Sequence, residues 1–270
     1  MIDLHIHTNA LPYHSTWEPE ALVDAALQAG LHTIAVTDHN TTAGVAAVQV
    51  AGQRRGLRVI SGVEIDSSFA AHDSDSPVPI KQWHTLVYGV SPDNPALIGL
   101  CNAVFERNLH DAARLRGELV RRGFRLEAFD MLGRAPNVAE VALALARANP
   151  IDKQPGEDDE SAGMRYILTQ VPGGYQPVDV GEIIMIAHNS GGIAVLAHPG
   201  RSKGIYAIPA VEEEIRAMAT LGLDGIEVYY PTHSAEQRRR YEAIAQDPVS
   251  YTHLRAHETD SYLVCRLLLE

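Results

Sequence analysis

Short apolar segments alternate with helix-forming segments along the N-terminal third of the chain. Residues 33–37 and 57–63 are mostly apolar, and each follows a segment with helical periodicity, at 19–28 and 42–55. Strands that are buried on both faces have such a composition, and parallel strands need a crossover between them that is usually a helix. The alternation therefore predicts an α/β fold with a parallel sheet, either open or closed into a barrel.

Side chains that can bind metals lie at the ends of the predicted strands. His5 and His7 end the first strand, His39 follows the second, and Glu64 ends the third. His5 and His7 are two positions apart, so in an extended strand their side chains lie on one face. α/β barrels place their chemistry at the carboxyl ends of their strands. We therefore expect these side chains to converge, although His5 and His7 alone could equally be surface histidines.

The candidate metal ligands combine several imidazoles with one carboxylate. The full set is His5, His7, His14, His39, Glu64, His84 and His198. Such ligands suit Zn²⁺, Mn²⁺ or Fe²⁺, whereas Mg²⁺ and Ca²⁺ prefer oxygen ligands. Each of the other histidines could also be an ordinary structural histidine, because spacing alone does not distinguish a ligand from a structural residue. These are His14, His39, His84 and His198.

The alternation of strands and helices is interrupted in the middle of the chain. A long helix and a shorter one are predicted at 94–122 and 137–148, followed by a loop-rich stretch whose acidic run, 157–160, is predicted to be solvated. Strands and helices then alternate again, which gives six strands, the fourth at 84–89. We predict a discontinuous barrel, 1–91 and 179–246, with a helical insertion over its active site at 92–178.

Composition argues against several classes of protein. The net charge of −12 disfavours stable binding of duplex nucleic acid, which needs a basic surface. No run of 18 or more apolar residues and no signal region occurs, so no membrane association is expected. The two cysteines, Cys101 and Cys265, fit a reducing compartment, and we expect a cytoplasmic protein.

Four short motifs together resemble the PHP (polymerase and histidinol phosphatase) family. They are Asp-Leu-His-Ile-His-Thr at 3–8, Thr-Asp-His at 37–39, Gly-Val-Glu at 62–64 and Ala-His-Pro at 197–199. The resemblance extends to about residue 245 and implies a distorted (βα)₇ barrel with up to three metals at its mouth. Further motifs at 133–134, 173–177 and 198–201 are similar to a branch of nucleotide phosphoesterases within the family.

The resemblance also implies a role for each candidate ligand. His5, His7 and Glu64 would bind a first metal, and Glu64 would bridge to a second metal. The remaining assignments are His84 and His198 for the second metal, and His14 and His39 for the third. Two or three Mn²⁺, Zn²⁺ or Fe²⁺ ions would therefore be the cofactors.

Substrate contacts follow from the same resemblance. Arg134 and Arg201 would bind the substrate phosphate, although without the resemblance they would be interpreted as exposed arginines. Glu64 and Asp38 would be the catalytic residues, and Asp38 would orient a neighbouring side chain rather than bind metal. Asn137 stands where this branch of the family usually has histidine, so the substrate contact there is left open.

The implied reaction is hydrolysis of a phosphate ester of a nucleotide, either a nucleoside 3′,5′-bisphosphate or short RNA. Hydroxide would attack phosphorus, because metal coordination lowers the pKa of water from 15.7 toward ~7. The partner would be a small phosphorylated molecule. One alternative is a histidinol-phosphate-type phosphatase with the same metal site, and another is a non-catalytic module of a polymerase.

The C-terminal segment, 247–270, departs from the resemblance. The family's final Gly-Ser-Asp and the histidine after it, which complete the first and third metal sites, are not found in this sequence. The segment instead resembles a read-through peptide of sequencing-adapter DNA. We therefore expect it to be non-native and the barrel to lack its last strand. His253, His257 and Asp260 are not expected to replace the missing ligands, and an inactive, truncated PHP protein is a third alternative.

Overall fold

The computed structural model describes residues 1–11, 15–70, 80–126, 134–171, 173–201 and 208–246, which form a curled mixed sheet with helices around it. Its strands are β1 (Ile2–Ile6), β2 (Thr33–Val36), β3 (Arg58–Ala70), β4 (Ile80–Tyr88), β5 (Val178–Asp179), β6 (Ile193–Leu196) and β7 (Gly225–Ile226). Its helices are α1 (Pro19–Gln28), α2 (Val45–Arg55), α3 (Pro95–Arg121), α4 (Val138–Ala148), α5 (Asp159–Gln170), α6 (Val180–Asn189), α7 (Glu212–Thr220) and α8 (Ala235–Gln246).

The sheet has the strand order β1-β2-β3-β4-β6-β7, and β5 pairs with the far end of β3. Strands β1, β2 and β3 are parallel, as are β6 and β7, but β4 is antiparallel to both of its neighbours. The predicted α/β class is confirmed, whereas the wholly parallel sheet is wrong at β4. Only nine residues, 71–79, separate β3 from β4, which is too short for the crossover that parallel pairing requires.

Strands β3 and β4 are longer than the sequence indicates. The predicted strand 57–63 continues to Ala70, and the strand expected to begin at His84 begins at Ile80. Glu64 and His84 therefore lie inside strands rather than at strand ends. The polar residues after Glu64 resemble a loop, but they are buried and bonded, and Ser67 Oγ donates to the carbonyl oxygen of Trp83 at 3.0 Å.

A small apolar cluster, which we call the inner apolar cluster, is formed by side chains from the strands that carry the histidines. Its buried members are Leu4, Ala35, Leu86, Tyr88, Val195 and Ala197. Tyr88 also donates its hydroxyl to the Leu4 carbonyl oxygen at 2.7 Å, which joins β4 to β1 across the sheet. Since burial of each large apolar side chain contributes roughly 1.5–3 kcal/mol, this cluster fixes the positions of the strands that carry the candidate site.

The helices α3, α4 and α5 share a second apolar core, separate from the inner cluster. It includes Leu115, Leu145 and Ile167, each fully buried. Gly163 lets α5 approach α4 closely, because a Cβ there would lie 2.0 Å from the carbonyl oxygen of Ala142. These three helices form a compact unit between β4 and β5, which we call the helical segment.

The stretch expected to be loop-rich contains α5, so that expectation is wrong there. Asp158 caps the helix by accepting a hydrogen bond from the Ser161 N–H at 2.8 Å. Two neighbouring carboxylates form ion pairs, Glu157 with Arg165 at 2.9 Å and Asp159 with Lys153 at 2.6 Å. The acidic run therefore starts a helix, where negative charge is favourable, rather than serving only as a solvated surface.

Several expectations concern residues outside the described ranges. These are His14, Gly133 and the whole segment 247–270 with its histidines. Within the ranges that the structure describes, none of the helices is long and apolar enough to cross a membrane.

Candidate metal centre

Glu64 lies at the centre of a cluster of histidines. Its side chain, which is 1 % exposed, is approached by the ring nitrogens of five histidines from four separate parts of the chain. The distances to its carboxylate oxygens are 3.0 Å for His5 Nε2, 3.4 Å for His7 Nε2, 3.3 Å for His39 Nδ1, 2.5 Å for His84 Nδ1 and 2.9 Å for His198 Nε2. The structure thus brings together six of the seven predicted ligands, and the seventh, His14, lies outside the described residues.

The first two histidines reach Glu64 from an irregular strand. The pairing of β1 with β2 changes register between Asp3 and Ile6, and Asp3 Oδ1 accepts a hydrogen bond from the His5 N–H at 3.1 Å. Bulges of this kind occur next to active sites and change the direction of a side chain. The strand therefore does not alternate regularly, and Leu4, next to His5, packs into the inner apolar cluster.

His39 and His198 follow strands β2 and β6, and the backbone holds both close to Glu64. His39 forms a parallel bridge with Glu64. His198 has φ 28°, in the left-handed region that favours glycine. A residue held there costs of order 1–3 kcal/mol and persists only where its surroundings fix it. The Glu227 carboxylate does so, since its Oε2 accepts the His198 N–H at 2.8 Å.

Asp38 fixes the segment that follows His7. Its two carboxylate oxygens accept hydrogen bonds from the N–H and the hydroxyl of Thr8, at 2.6 Å and 2.7 Å. Both side chains are buried. Asp38 thus joins the end of β2 to the end of β1, where the predicted ligands His39 and His7 lie.

Sequence reasoning missed the carboxylate of Glu227. It is fully buried just after β7, and its two oxygens lie 3.2 Å and 3.3 Å from His5 Nδ1. The apolar composition of 225–229 predicts one continuous strand, whereas β7 ends at Ile226. The available signal was an acidic residue within an apolar stretch, since burying a carboxylate without a partner is costly.

Asp66 is the second carboxylate that was missed. The polar composition after Glu64 predicts a loop there, but Asp66 lies in β3, buried, with Oδ1 3.0 Å from His84 Nε2. Its position two residues after Glu64 puts both carboxylates on one face of the strand. This spacing was visible in the sequence and would have indicated a shared site had the strand been extended.

The carboxylates and histidines shift one another's pKa values. Burial alone would raise the pKa of Glu64, but His39, His84 and His5 outweigh it and hold the pKa well below its usual range. Burial would lower the pKa of His5, yet Glu64 and Glu227 raise it well above 6.5. For His198, burial dominates and lowers the pKa to about 4, so this imidazole is neutral at pH 7, the form that binds metals.

The donor atoms fit divalent transition metals. Among the residues that the structure describes, three groups have ligand atoms within 4.8 Å of one another: His5, His7 and Glu64; His39, Glu64 and His84; and His5, His198 and Glu227. Imidazole nitrogens combined with carboxylate oxygens suit Zn²⁺, Mn²⁺ or Fe²⁺. The first group is the one predicted for the first metal. His39, which we expected beside His14, is grouped here with Glu64 and His84.

The two predicted phosphate-binding arginines have different surroundings. The Arg201 guanidinium lies 6.0 Å from the centre of the Tyr230 ring, and that ring is 4.8 Å from the His198 ring. Arg134 lies before α4 and pairs with the Glu140 carboxylate at 2.7 Å. Arg201 is thus next to the histidine cluster, whereas Arg134 is bonded to the start of the helical segment's second helix.

Known proteins resemble the chain over most of its length. It is 28 % identical to the phosphoribosyl 1,2-cyclic phosphate 1,2-diphosphodiesterase of Eggerthella lenta, covering 90 % of this chain and 88 % of that protein. It is 26 % identical to the 3′,5′-nucleoside bisphosphate phosphatase of Chromobacterium violaceum (89 % and 80 % covered). It is 29 % identical to the 5′-3′ exoribonuclease Rnm of Escherichia coli (90 % and 80 % covered).

Solved structures and the family comparison agree with these relatives. A protein of Bifidobacterium adolescentis assigned as a metal-dependent phosphoesterase matches with TM-score 0.62 and 26 % identity, covering 90 % of this chain and 82 % of that one. The PHP domain matches residues 3–160, more than half of the chain. The resemblance noted in the sequence is confirmed: the chain belongs to the PHP domain family, and its enzyme class is that of a metal-dependent phosphoesterase.

Proposed function

We propose that this protein hydrolyses phosphate esters of nucleotides, with nucleoside 3′,5′-bisphosphates or short RNA as substrates. The observation that carries the proposal is the convergence of five imidazoles on the buried carboxylate of Glu64. In this proposal the sheet is part of a distorted (βα)₇ barrel formed by 1–91 and 179–246, and 92–178 is an insertion over its mouth.

The proposed ligands are the six clustered residues together with His14. When bound, divalent metals such as Mn²⁺, Zn²⁺ or Fe²⁺ would acidify water and neutralise charge on the reacting phosphate. Glu64 holds the imidazoles around it, and its negative charge helps to raise the pKa of His5. His198 is already neutral, so it needs to release no proton to act as a ligand.

Arg201 is the proposed phosphate-binding residue next to this cluster. A guanidinium binds phosphate oxygens through two parallel hydrogen bonds, which fixes the orientation of the ester. The Tyr230 ring is close to both Arg201 and the His198 ring. Arg134 would reach the substrate from the helical segment, where Glu140 now holds it. Asp38 would act through Thr8, by keeping the backbone after His7 in place.

A cyclic phosphate diester is a second candidate substrate. The relative from Eggerthella lenta is named as a diphosphodiesterase acting on phosphoribosyl 1,2-cyclic phosphate, and 88 % of its length is covered. In both reactions water attacks a phosphorus that carries negatively charged oxygen. The same cluster of ligands would hold the metals that neutralise this charge.

Turnover of competing substrates tests the proposal. The purified chain with Mn²⁺ is offered adenosine 3′,5′-bisphosphate, a 5′-phosphorylated RNA pentamer, a ribose cyclic phosphate and histidinol phosphate, and released phosphate or nucleotide is measured. We expect the bisphosphate or RNA to be preferred. Glu64→Gln should lower turnover at least 100-fold, because the amide cannot supply the negative charge that the imidazoles surround.

Glu213→Gln is the matched control, since Glu213 lies exposed on α7 away from the cluster. It should leave turnover unchanged. A preference for histidinol phosphate, or full activity of Glu64→Gln, would overturn the proposal. A preference for the cyclic phosphate would favour the second candidate.

A further inference from the structure

His84 lies between two carboxylates of the same strand. In the antiparallel pairing of β3 with β4 it is directly opposite Asp66. Its Nδ1 is 2.5 Å from Glu64 Oε1, and its Nε2 is 3.0 Å from Asp66 Oδ1. If Nδ1 serves as the metal ligand beside Glu64, the ring N–H is at Nε2 and is donated to Asp66. The contact with Asp66 therefore determines which ring nitrogen can act as a ligand.

The second carboxylate oxygen of Asp66 accepts hydrogen bonds from the helical segment and from the residues that follow α5. Tyr175, between α5 and β5, donates its hydroxyl to Asp66 Oδ2 at 2.7 Å, and Asn108 of α3 donates its amide to the same oxygen at 3.3 Å. The Asn108 side-chain oxygen accepts the N–H of Val138, at the start of α4. Burial, and then the charge of Asp66, raise the pKa of Tyr175 well above 10, so its hydroxyl stays a proton donor.

Tyr175 has little freedom to move away from Asp66. Arg114 of α3 donates to the carbonyl oxygens of Gly173 and Gly174, at 2.6 Å and 3.1 Å. On the other side, Gln82 of β4 donates to the Tyr175 carbonyl oxygen at 3.1 Å. The Tyr175 side chain is 2 % exposed and packs within the apolar core of the helical segment. The hydroxyl is thus held from both the helices and the sheet.

We propose that Asp66 is a positioning residue for His84, and that Tyr175 and Asn108 hold Asp66 in place. The helical segment thereby sets the geometry of a ligand in the sheet. The proposal deepens the proposed function and rests on it, because it takes His84 to be a metal ligand. A carboxylate that accepts the second N–H of a ligating imidazole fixes the ring and raises its basicity, and losing it typically weakens metal binding about 10–100-fold.

The test measures Mn²⁺ affinity of the full chain by calorimetry for His84→Ala, Asp66→Asn and Tyr175→Phe. We expect the largest loss for His84→Ala, about tenfold or more for Asp66→Asn, and a smaller, measurable loss for Tyr175→Phe, which removes one hydroxyl and keeps the packing. Tyr166→Phe is the matched control, because Tyr166 of the same segment packs on Phe124 at 5.2 Å between ring centres. It should bind Mn²⁺ like the parent chain.

A second readout does not need metal. The ¹⁵N resonances of the His84 ring, assigned by comparison with His84→Ala, report which nitrogen carries the proton. They should show a protonated Nε2 in the parent chain and should move in Asp66→Asn and Tyr175→Phe, but not in Tyr166→Phe. Asn108→Ala should move them too, and it replaces Tyr175→Phe if that variant does not fold.

The outcomes separate the two proposals. If His84→Ala weakens Mn²⁺ binding while Asp66→Asn and Tyr175→Phe bind like the parent with unmoved His84 resonances, the positioning role is wrong and the metal site stands. If His84→Ala binds Mn²⁺ normally, His84 is not a ligand, and both the ligand assignment and this inference are overturned.

Discussion

At the scale of single residues, Glu227 shows how one buried carboxylate can serve two backbone segments. One of its oxygens accepts the His198 N–H, and the carboxylate as a whole faces the His5 ring. His5 and Glu227 are 222 residues apart in the chain. A carboxylate shared in this way both orients a proposed ligand and stabilises the left-handed backbone of another.

Glu227→Gln tests that arrangement. The amide has one acceptor atom and one donor atom, so either His5 or the His198 N–H loses its acceptor. Leaving one buried donor unsatisfied costs about 1–3 kcal/mol, and we expect the free energy of unfolding in urea to fall by that amount. Glu213→Gln should unfold like the parent chain. An unchanged unfolding curve for Glu227→Gln would contradict the role described here.

Residue spacing indicated where the histidines at strand ends would converge, but it did not indicate the carboxylates Glu227 and Asp66 behind them. The positions of His5 and His7 and the residues that follow β2 and β6 could be predicted, because strand ends of an α/β sheet meet at one edge. Glu227 and Asp66 could not, because they act through contacts between strands whose true ends were not predictable. A strand boundary wrong by a few residues changes which polar groups are expected to be buried.

At the scale of elements, the start of α4 is stabilised by a capping box. The Asn137 side chain accepts the Glu140 N–H at 2.9 Å, and the Glu140 side chain accepts the Asn137 N–H at 2.9 Å. Glu140 also pairs with Arg134. Asn137 stands where the related nucleotide phosphoesterases usually have histidine, and here its side chain is used by the helix itself.

Asn137→Ala should destabilise the protein by about 1 kcal/mol, because alanine cannot accept the Glu140 N–H. The measurement is the urea midpoint of unfolding, with the slope of the transition unchanged. Asn102→Ala, at an exposed position of α3, is the control and should be neutral or slightly stabilising, since alanine favours helix interiors. A loss for Asn137→Ala no larger than that of the control would refute the capping role.

Helices were easier to predict than the β3–β4 pair. The helix expected at 19–28 is Pro19–Gln28, where proline at the first turn and apolar spacing agree. In β3, by contrast, Asp66 and the serines after it look like a loop. They remain in a strand because each polar group finds a buried partner in a distant part of the chain, such as Pro177 for Ser68.

At the scale of the whole molecule, the candidate ligands join most of the sheet. They lie on, or within three residues of the end of, β1, β2, β3, β4 and β6. Any ion bound among them therefore connects segments that separate on unfolding. Binding to the folded chain alone raises its stability by an amount set only by concentration and affinity.

Addition of Mn²⁺ should therefore stabilise the protein globally. At a free concentration of 100 times Kd, one site raises the free energy of unfolding by about 2.7 kcal/mol. Thermal unfolding monitored by circular dichroism, with and without Mn²⁺ and then with excess chelator, measures the gain and its reversal. Glu64→Gln should show no comparable gain. Equal stabilisation of parent and variant would mean that the ion binds elsewhere.

The α/β class of the molecule could be predicted from the sequence, but the antiparallel direction of β4 could not. Alternating apolar strands and helices determine the class, because each helix must cover a sheet face. The antiparallel β4 depends on the short connection at 71–79 and on a strand extended by buried polar residues. The separate core of the helical segment follows from its apolar periodicity.

The convergence of five imidazoles on Glu64 also determines how the effects of substitutions depend on the order in which they occur. While Glu64 is present, replacing any one of those histidines changes the charge balance of the other four. Once Glu64 is replaced, the histidines no longer share a partner, and a further histidine substitution should have a much smaller effect on stability and metal binding. The effects of replacing Glu64 and a histidine together will therefore be strongly non-additive. The order in which substitutions occur therefore decides how large their effects are: a histidine substitution made after the loss of Glu64 should have a smaller effect than the same substitution made while Glu64 is present.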